Sequence, residues 1–220
     1  MDAAPQHQIR IEAEKPRAAL GDSISLRVVF RNVSGEAIEL RDPLRGFGVV
    51  IAAQRGSAPA EEIRFGKLLT VQMGRGTALV PEPAETFELK PGEERAFQVE
   101  AGRRFPQLFA PGTVAVRIVD RSERTPVSSN AVRLHIELTA KSVDFLIGLL
   151  ADPEAPGRDF ALEWLRRLQP SFRFTVELPT EAQRAENEVA LEGLRKWWTE
   201  ARGKPDATRR LAELNEAPSR

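Results

Sequence analysis

The sequence predicts an antiparallel β-sandwich followed by a small helical unit, that is, an all-β part and an all-α part. Three observations predict it: apolar residues recur at every second position as far as Leu138, turn residues interrupt these runs about every ten residues, and the apolar period then changes to about 3.6 residues. We therefore expect a sandwich over residues 1–138, a helical unit over residues 139–216 and a frayed tail at residues 217–220.

The alternation is clearest over residues 24–30, where Ile24, Leu26, Val28 and Phe30 share one face. A strand of this kind buries one face and leaves the other in water. Residues 32–35 and 90–93 predict turns, and the Pro-Gly centre of the second suits a type II turn because proline presets a negative φ and glycine accepts a positive one. Residues 41–86 are less regular: we expect shorter strands at residues 47–53 and 62–65, either edge strands or an irregular insertion at residues 68–73 and 77–80, and a turn at Gly74-Arg75-Gly76. About seven to nine short strands with such turns indicate a sandwich.

Four turn and strand motifs of the first part also carry a likeness to known domains. They are Gly21-Asp22 before the strand that ends in Asn32, Leu89-Lys90-Pro91-Gly92-Glu93, Pro111-Gly112 before Val114, and Val127 to Val132 before the last strand. Together they resemble bacterial immunoglobulin-like or fibronectin-like domains, and the likeness implies an immunoglobulin-like sandwich. The first part is similar, more weakly, to the intracellular proteinase inhibitor family, which shares the asparagine-ended strand and the later Pro-Gly turn.

Beyond Leu138, three helices are predicted by stripes of apolar residues and by their end signals. Asp152-Pro153 ends the first helix and Gln169-Pro170 the second. Thr180 and Gln183 form a capping-box pattern at the start of the third helix. We expect this helix to run to about Arg202 and to stop at Gly203 and Pro205. Residues 208–215 predict a fourth, weaker helical segment. The stripes are Val143, Leu146, Ile147 and Leu150; Phe160, Ala161, Trp164, Leu165 and Leu168; and Ala190, Leu194, Trp197, Trp198 and Ala201.

This second part resembles a HEAT-type helical repeat of bacterial proteins. The likeness rests on residues 145–153 with their Asp-Pro turn, residues 158–168, the Phe172 and Phe174 linker, and residues 194–198 with their aromatic pair. Arg158, Ala161 and Leu165 fit the spacing of the family's second helix. Because only one unit and a partial second are present, while solenoids need about three repeats, we expect the helices to pack on one another rather than form an array.

The residue types that carry most enzyme chemistry are scarce or badly placed. The chain has no cysteine and two histidines, and we expect His7 at a frayed end and His135 on an exposed strand face beside Glu137. Serine-nucleophile, zinc-helix and phosphate-loop motifs are absent from the sequence. The predicted turns contain Asp22, Asp42 and Asp120, and the hydrogen bond of an aspartate side chain to nearby backbone explains their presence without a catalytic role. We therefore predict no enzyme, no cofactor and no metal. An enzyme that uses a pair of carboxylates is a third hypothesis, although nothing in the sequence selects the pair.

The net charge and the hydropathy pattern limit the classes of partner that we expect. The chain has 32 basic and 32 acidic residues, so its net charge is zero and we expect no nucleic-acid partner. No apolar run approaches the ~18 residues of a membrane span. Sandwich modules of this kind suggest the periplasm or cell envelope if a signal peptide was removed, and the cytoplasm otherwise; residues 1–6 carry no signal pattern themselves.

Trp197 and Trp198 are the candidate partner-binding residues. About 100° separates them around a helix, so both can flank the core stripe but only one can point straight into the core. Either both indoles close the helical core together with Trp164, or one of them helps form a groove for a peptide or glycan. We predict a non-enzymatic protein-interaction or assembly module with a protein partner. The alternative is a proteinase inhibitor that presents an exposed loop from the Pro- and Gly-rich residues 41–83.

Overall fold

The computed structural model describes residues 5–42, 48–64, 68–73, 76–81, 85–103, 105–122, 126–153, 155, 157–176 and 180–216, with side chains described for all of these except residues 68–81. Over this part the chain is α plus β, with mixed sheets and four α-helices. The expected frayed tail, residues 217–220, and the expected turn at Gly74-Arg75 lie outside the described residues.

The strands and helices follow one another in this order: β1 (His7–Ala13), β2 (Arg17–Ala19), β3 (Ser25–Asn32), β4 (Ile38–Arg41), β5 (Val49–Gln54), β6 (Glu61–Arg64), β7 (Leu68–Met73), β8 (Gly76–Pro81), β9 (Thr86–Leu89), β10 (Glu94–Glu100), a 3-10 turn (Pro106–Phe109), β11 (Gly112–Asp120), β12 (Val127–Ser128), β13 (Val132–Glu137), α1 (Ala140–Ala151), α2 (Arg158–Leu168), α3 (Glu181–Ala201) and α4 (Pro205–Glu216).

Contacts divide the chain into two compact units. Unit 1 comprises Met1–Pro16, Ile24–Glu100 and Val114–Leu134, and unit 2 comprises Arg17–Ser23, Ala101–Thr113 and His135–Arg220. The boundary after Leu138 stays a prediction; the contact units differ from it because two earlier segments and the end of β13 belong with the helices.

Unit 1 is built from antiparallel strand pairs. One sheet has the order β1-β3-β10, a second contains β11-β5-β6 with β12 on β11, and β4-β9 and β7-β8 form two-stranded sheets. The predicted alternation along β3 is present in part: Leu26, Val28 and Phe30 are buried and Arg27 is exposed, but Val29, which the alternation placed on the wet face, is buried as well. The alternate apolar residues of these strands thus make the core of unit 1.

The stretch over residues 41–86 forms strands where the sequence pattern was irregular. Every residue from Val49 to Ala53 in β5 is buried, so both faces of this strand are covered. A strand covered on both faces shows no period of two, which is why the alternation indicated the strand expected at residues 47–53 only weakly. The β5-β6 and β7-β8 pairs are antiparallel hairpins.

Asparagine side chains complete the backbone pairing of unit 1. Asn32 Oδ1 accepts the Ser34 N–H at 2.8 Å, and its Nδ2 donates to the Leu89 carbonyl at 2.9 Å, which confirms the predicted turn. Asn130 accepts from the Ile11 N–H at 2.9 Å and donates to the Ile11 carbonyl at 3.0 Å. A carboxamide can replace a strand neighbour in this way because it carries both a donor and an acceptor.

The helices of unit 2 follow the predicted signals with one correction. The Thr180–Gln183 capping box is confirmed, and α1 begins with a similar box at Thr139 and Ser142. The third helix ends at Ala201, near the predicted Arg202, so its predicted end is confirmed. The fourth helix, however, begins at Pro205, before the start predicted at residue 208. Proline suits a first turn because its missing N–H has no intrahelical acceptor there. Gly203, with φ of 82°, makes the break between the two helices.

Unit 2 also contains a parallel strand pair, which the sequence did not predict: β2 pairs with the end of β13, in the register His135↔Arg17. Two asparagine side chains form hydrogen bonds with the backbone of the segments that connect the elements of unit 2. Asn187 accepts from the Thr175 N–H at 2.9 Å and donates to the Thr175 carbonyl at 2.7 Å. Asn215 makes the equivalent pair with Leu138, at 2.6 and 3.0 Å. These pairs hold irregular segments of unit 2 against α3 and α4.

Candidate functional site

The two adjacent tryptophans of α3 have different surroundings. Trp198 is 3% exposed, and its Nε1–H donates to Oδ1 of Asp144 on α1 at 2.8 Å. The other carboxylate oxygen of Asp144 lies 3.0 Å from Nη1 of Arg202. Trp198 is therefore a core residue of unit 2 and is not available to a partner.

Trp197 is half-buried and lines an open cleft. Its ring centroid lies 5.9 Å from that of Trp198, and its Nε1–H donates to none of the residues that the structure describes. The cleft has a volume of about 360 Å³ and lies where the ends of α2 and α3 meet the start of α4. Its lining residues are Leu168, Trp197, Glu200, Ala201, Lys204, Asp206, Ala207 and Arg210. We call this feature the Trp197 cleft.

The charged residues of the Trp197 cleft fall into two pairs. Asp206 and Arg210 are held by their own helix: Asp206 accepts from Arg209 at 3.0 Å, and Arg210 lies 3.1 Å from Glu213. Arg210 also donates to the Arg167 carbonyl at 2.9 Å.

Glu200 and Lys204 are different, because neither side chain makes an ion pair or a side-chain hydrogen bond within the described part of the chain. The cleft thus offers one free acid, one free base and a free indole donor around an apolar floor.

A second constellation lies in unit 1, and it overturns the expectation for His7. The sequence placed His7 at a frayed end, but it lies in β1 with 0% exposure, and its ring stacks on Phe30 at 5.9 Å between centroids. Its Nε2 lies 3.3 Å from Oδ2 of Asp120, the last residue of β11. The sequence does carry a signal for this burial: His7 lies at every-second-residue spacing from Ile9 and Ile11 and therefore shares their buried face of the strand.

The predicted turn role of Asp120 is confirmed but incomplete. Its Oδ1 accepts from the backbone N–H of Ser122 at 2.8 Å and from the Ser122 hydroxyl at 2.6 Å. Burial would raise the pKa of Asp120, yet the hydrogen bonds from His7 and Ser122 and the charge of His7 outweigh it and lower that pKa below 3.8. Asp120 is thus a buried carboxylate that ties β1 to β11.

His135 is placed as the sequence predicted. Its ring lies 3.9 Å from a carboxylate oxygen of Glu137, and both side chains are nearly half exposed. Thr113 Oγ1 lies 3.5 Å from its Nδ1. Over the described residues there is no group of three or more histidine, aspartate or glutamate side chains that could hold a metal ion. In the same part of the chain, no helix is both long and apolar enough to cross a membrane.

We found no match to a known protein family and none to a curated protein sequence. Several solved structures are similar over part of the chain. A β-glucosidase from Erythrobacter marinus is 15% identical over 59% of this chain and 15% of its own length, with a TM-score of 0.34. The chain thus spans a small part of that enzyme.

Two other solved structures show a likeness of the same order. The sporulation control protein of Bacillus subtilis is 14% identical over 67% of this chain and 56% of its own length, with a TM-score of 0.36. An alkylpurine DNA glycosylase from Pseudomonas fluorescens, bound to DNA, is 15% identical over 61% and 31%, with a TM-score of 0.35. At these scores the likenesses carry no inference about what this chain does.

Proposed function

We propose that this chain is a non-enzymatic protein-interaction or assembly module, an immunoglobulin-like sandwich joined to a HEAT-like helical unit, which holds a protein partner in the Trp197 cleft. The observation that carries the proposal is the half-buried indole of Trp197 over an apolar floor, with an unused N–H. Tryptophan is enriched among the residues that dominate binding energy, because it buries a large rigid surface and donates one hydrogen bond.

The floor and the size of the Trp197 cleft suit the insertion of one apolar side chain of a partner. Leu168 is buried, and Ala201 and Ala207 are small and half-buried, so a partner can approach the backbone closely. A volume of about 360 Å³ is enough for a large apolar side chain with part of its backbone. Inserting such a side chain removes apolar surface from water on both partners, which is the main driving force for association.

The test is a selection of random peptides displayed on phage against the full chain, followed by affinity measurements on the selected peptides. Trp197→Ala should weaken binding about 30-fold or more, as expected for the loss of a central aromatic anchor. Val189→Ala is the matched control, because Val189 is an apolar residue of the same helix, 71% exposed, and outside the lining of the cleft.

Whether the Trp197→Ala variant is correctly folded can be measured separately from its peptide binding. Because the Trp198 Nε1–H is bonded to Asp144, its indole N–H should stay protected from hydrogen exchange in this variant. In the wild type, an added peptide should shift the Trp197 indole N–H resonance more than that of Trp198. Peptides that bind the wild type and Trp197→Ala equally well, or a selection that enriches none, would refute the proposal.

A proteinase inhibitor is the second candidate, and one observation favours it. The β7-β8 hairpin forms a two-stranded sheet of its own among the described strands, within the stretch where the sequence predicted an exposed loop. Inhibition assays at micromolar concentration against serine, cysteine and metalloproteases test it. Inhibition that survives Trp197→Ala but is lost when residues 68–81 are replaced by a short linker would favour the inhibitor over the interaction module.

A further inference from the structure

We infer that the occupant of the Trp197 cleft is a peptide segment in which one apolar anchor residue is flanked by a basic residue on one side and an acidic residue on the other. This inference rests on the proposed function and specifies its ligand. It derives from the charges around the cleft, where Asp206 and Arg210 have partners in α4 while Glu200 and Lys204 have none among the described residues.

The two free charges lie at different positions along the cleft. Glu200 is on the last turn of α3, three residues and thus about 4.5 Å along the axis from Trp197. Lys204 lies after the turn at Gly203, which has φ of 82° and directs the chain into α4. The two side chains form no ion pair with each other, although both line the same cleft.

This arrangement selects for a mixed charge pattern in the ligand. A ligand with charges of one sign would meet Glu200 or Lys204 with repulsion and leave the other uncompensated. The four charged lining residues sum to zero, so the cleft attracts neither a strongly acidic nor a strongly basic partner. A segment with one charge of each sign beside its anchor pairs both free groups while the anchor fills the apolar floor.

The test uses four synthetic peptides with the same tryptophan-sized apolar anchor, flanked by basic then acidic, acidic then basic, two acidic or two basic residues. The full chain should bind one of the two mixed orders about three- to tenfold more tightly than the other three peptides. A double variant that exchanges the charges, Glu200→Lys with Lys204→Glu, should prefer the opposite mixed order. The preference should fade in about 0.5 M salt, because the groups are exposed.

A matched control is available on the same helix. Glu192 and Lys196 are an acid and a base with the same spacing, are exposed, and lie outside the cleft lining. Their exchange, Glu192→Lys with Lys196→Glu, should leave the peptide preference unchanged.

The outcomes separate this inference from the function on which it rests. If all four peptides bind equally and all are lost in Trp197→Ala, the charge pattern is wrong and the Trp197 cleft is still a binding site. If the charge-exchanged variant keeps the wild-type preference, the inference is likewise overturned. If no peptide binds and the phage selection also enriches none, the proposed function fails with it.

Discussion

Replacing Asp120 with asparagine should destabilise unit 1 by about 2–3 kcal/mol at neutral pH, although the change preserves size and shape. The asparagine carbonyl can still accept from Ser122, but the charge that faces His7 Nε2 at 3.3 Å is lost. Asp120 is 4% exposed and His7 0%, so water cannot replace the missing interaction. This loss corresponds to about a 30- to 160-fold change in the unfolding equilibrium.

The pH dependence of this difference has a definite sign. The folded-state pKa of Asp120 lies below 3.8, so the unfolded chain binds this proton first as the pH falls. The stabilisation by the carboxylate is therefore complete well above pH 3.8 and is lost as the pH falls through the folded-state pKa. The gap between wild type and Asp120→Asn should shrink correspondingly below about pH 4.

The assay must report on unit 1, which contains none of the three tryptophans. Urea unfolding followed by far-UV circular dichroism gives the free energy, and hydrogen exchange of peptides from β1 and β11 localises the loss. Glu36→Gln is the control, since Glu36 is an exposed carboxylate of unit 1, and it should change stability by less than about 0.5 kcal/mol. A gap that stays constant from about pH 6 to about pH 2.5, or an Asp120→Asn variant as stable as Glu36→Gln, would refute the reasoning.

Two further substitutions test the packing of unit 2, where tryptophan fluorescence reports unfolding. Asn187→Ala should cost about 1–3 kcal/mol, because it removes both hydrogen bonds to Thr175, and an unchanged urea midpoint would contradict this. Gly21→Ala should cost more than about 2 kcal/mol, because φ is 90° and a Cβ would lie 2.5 Å from Cγ of Phe145. Phe145→Ala in the same chain should recover part of the Gly21→Ala loss, and additive losses would count against the clash.

Local signals in the sequence predicted the elements that depend on neighbouring residues. The aliphatic stripe of α1 and the Thr180–Gln183 capping box need only side chains within one or two helical turns, and both are present as predicted. The same holds for the Asn32 turn, which is closed by Ser34 two residues later. These predictions succeeded because the interactions that decide them are short in sequence.

The predictions that failed or fell short depend on partners far along the chain. The burial of His7 follows the parity of Ile9 and Ile11, but its partner Asp120 lies on another strand, and nothing near His7 in sequence indicates that partner. The pairing of β2 with β13 joins residues that are far apart in sequence, such as Arg17 and His135, so local periodicity cannot indicate it. The start of α4 at Pro205 rather than at residue 208 was missed for a different reason, since a proline that follows one helix can also occupy the first turn of the next.

The different roles of Trp197 and Trp198 depend both on local helix geometry and on a contact with a residue far away in the sequence. Helical geometry places two adjacent side chains about 100° apart, so the sequence leaves open whether both indoles close the core with Trp164 or one of them lines a groove. Asp144 decides it, because a buried indole N–H needs an acceptor and Asp144 on α1 supplies one to Trp198. Trp197 then faces the start of α4 with its N–H unused, beside Glu200 and Lys204. The groups that the fold leaves without partners therefore lie together in the Trp197 cleft, and this is the physical reason to look for the ligand there.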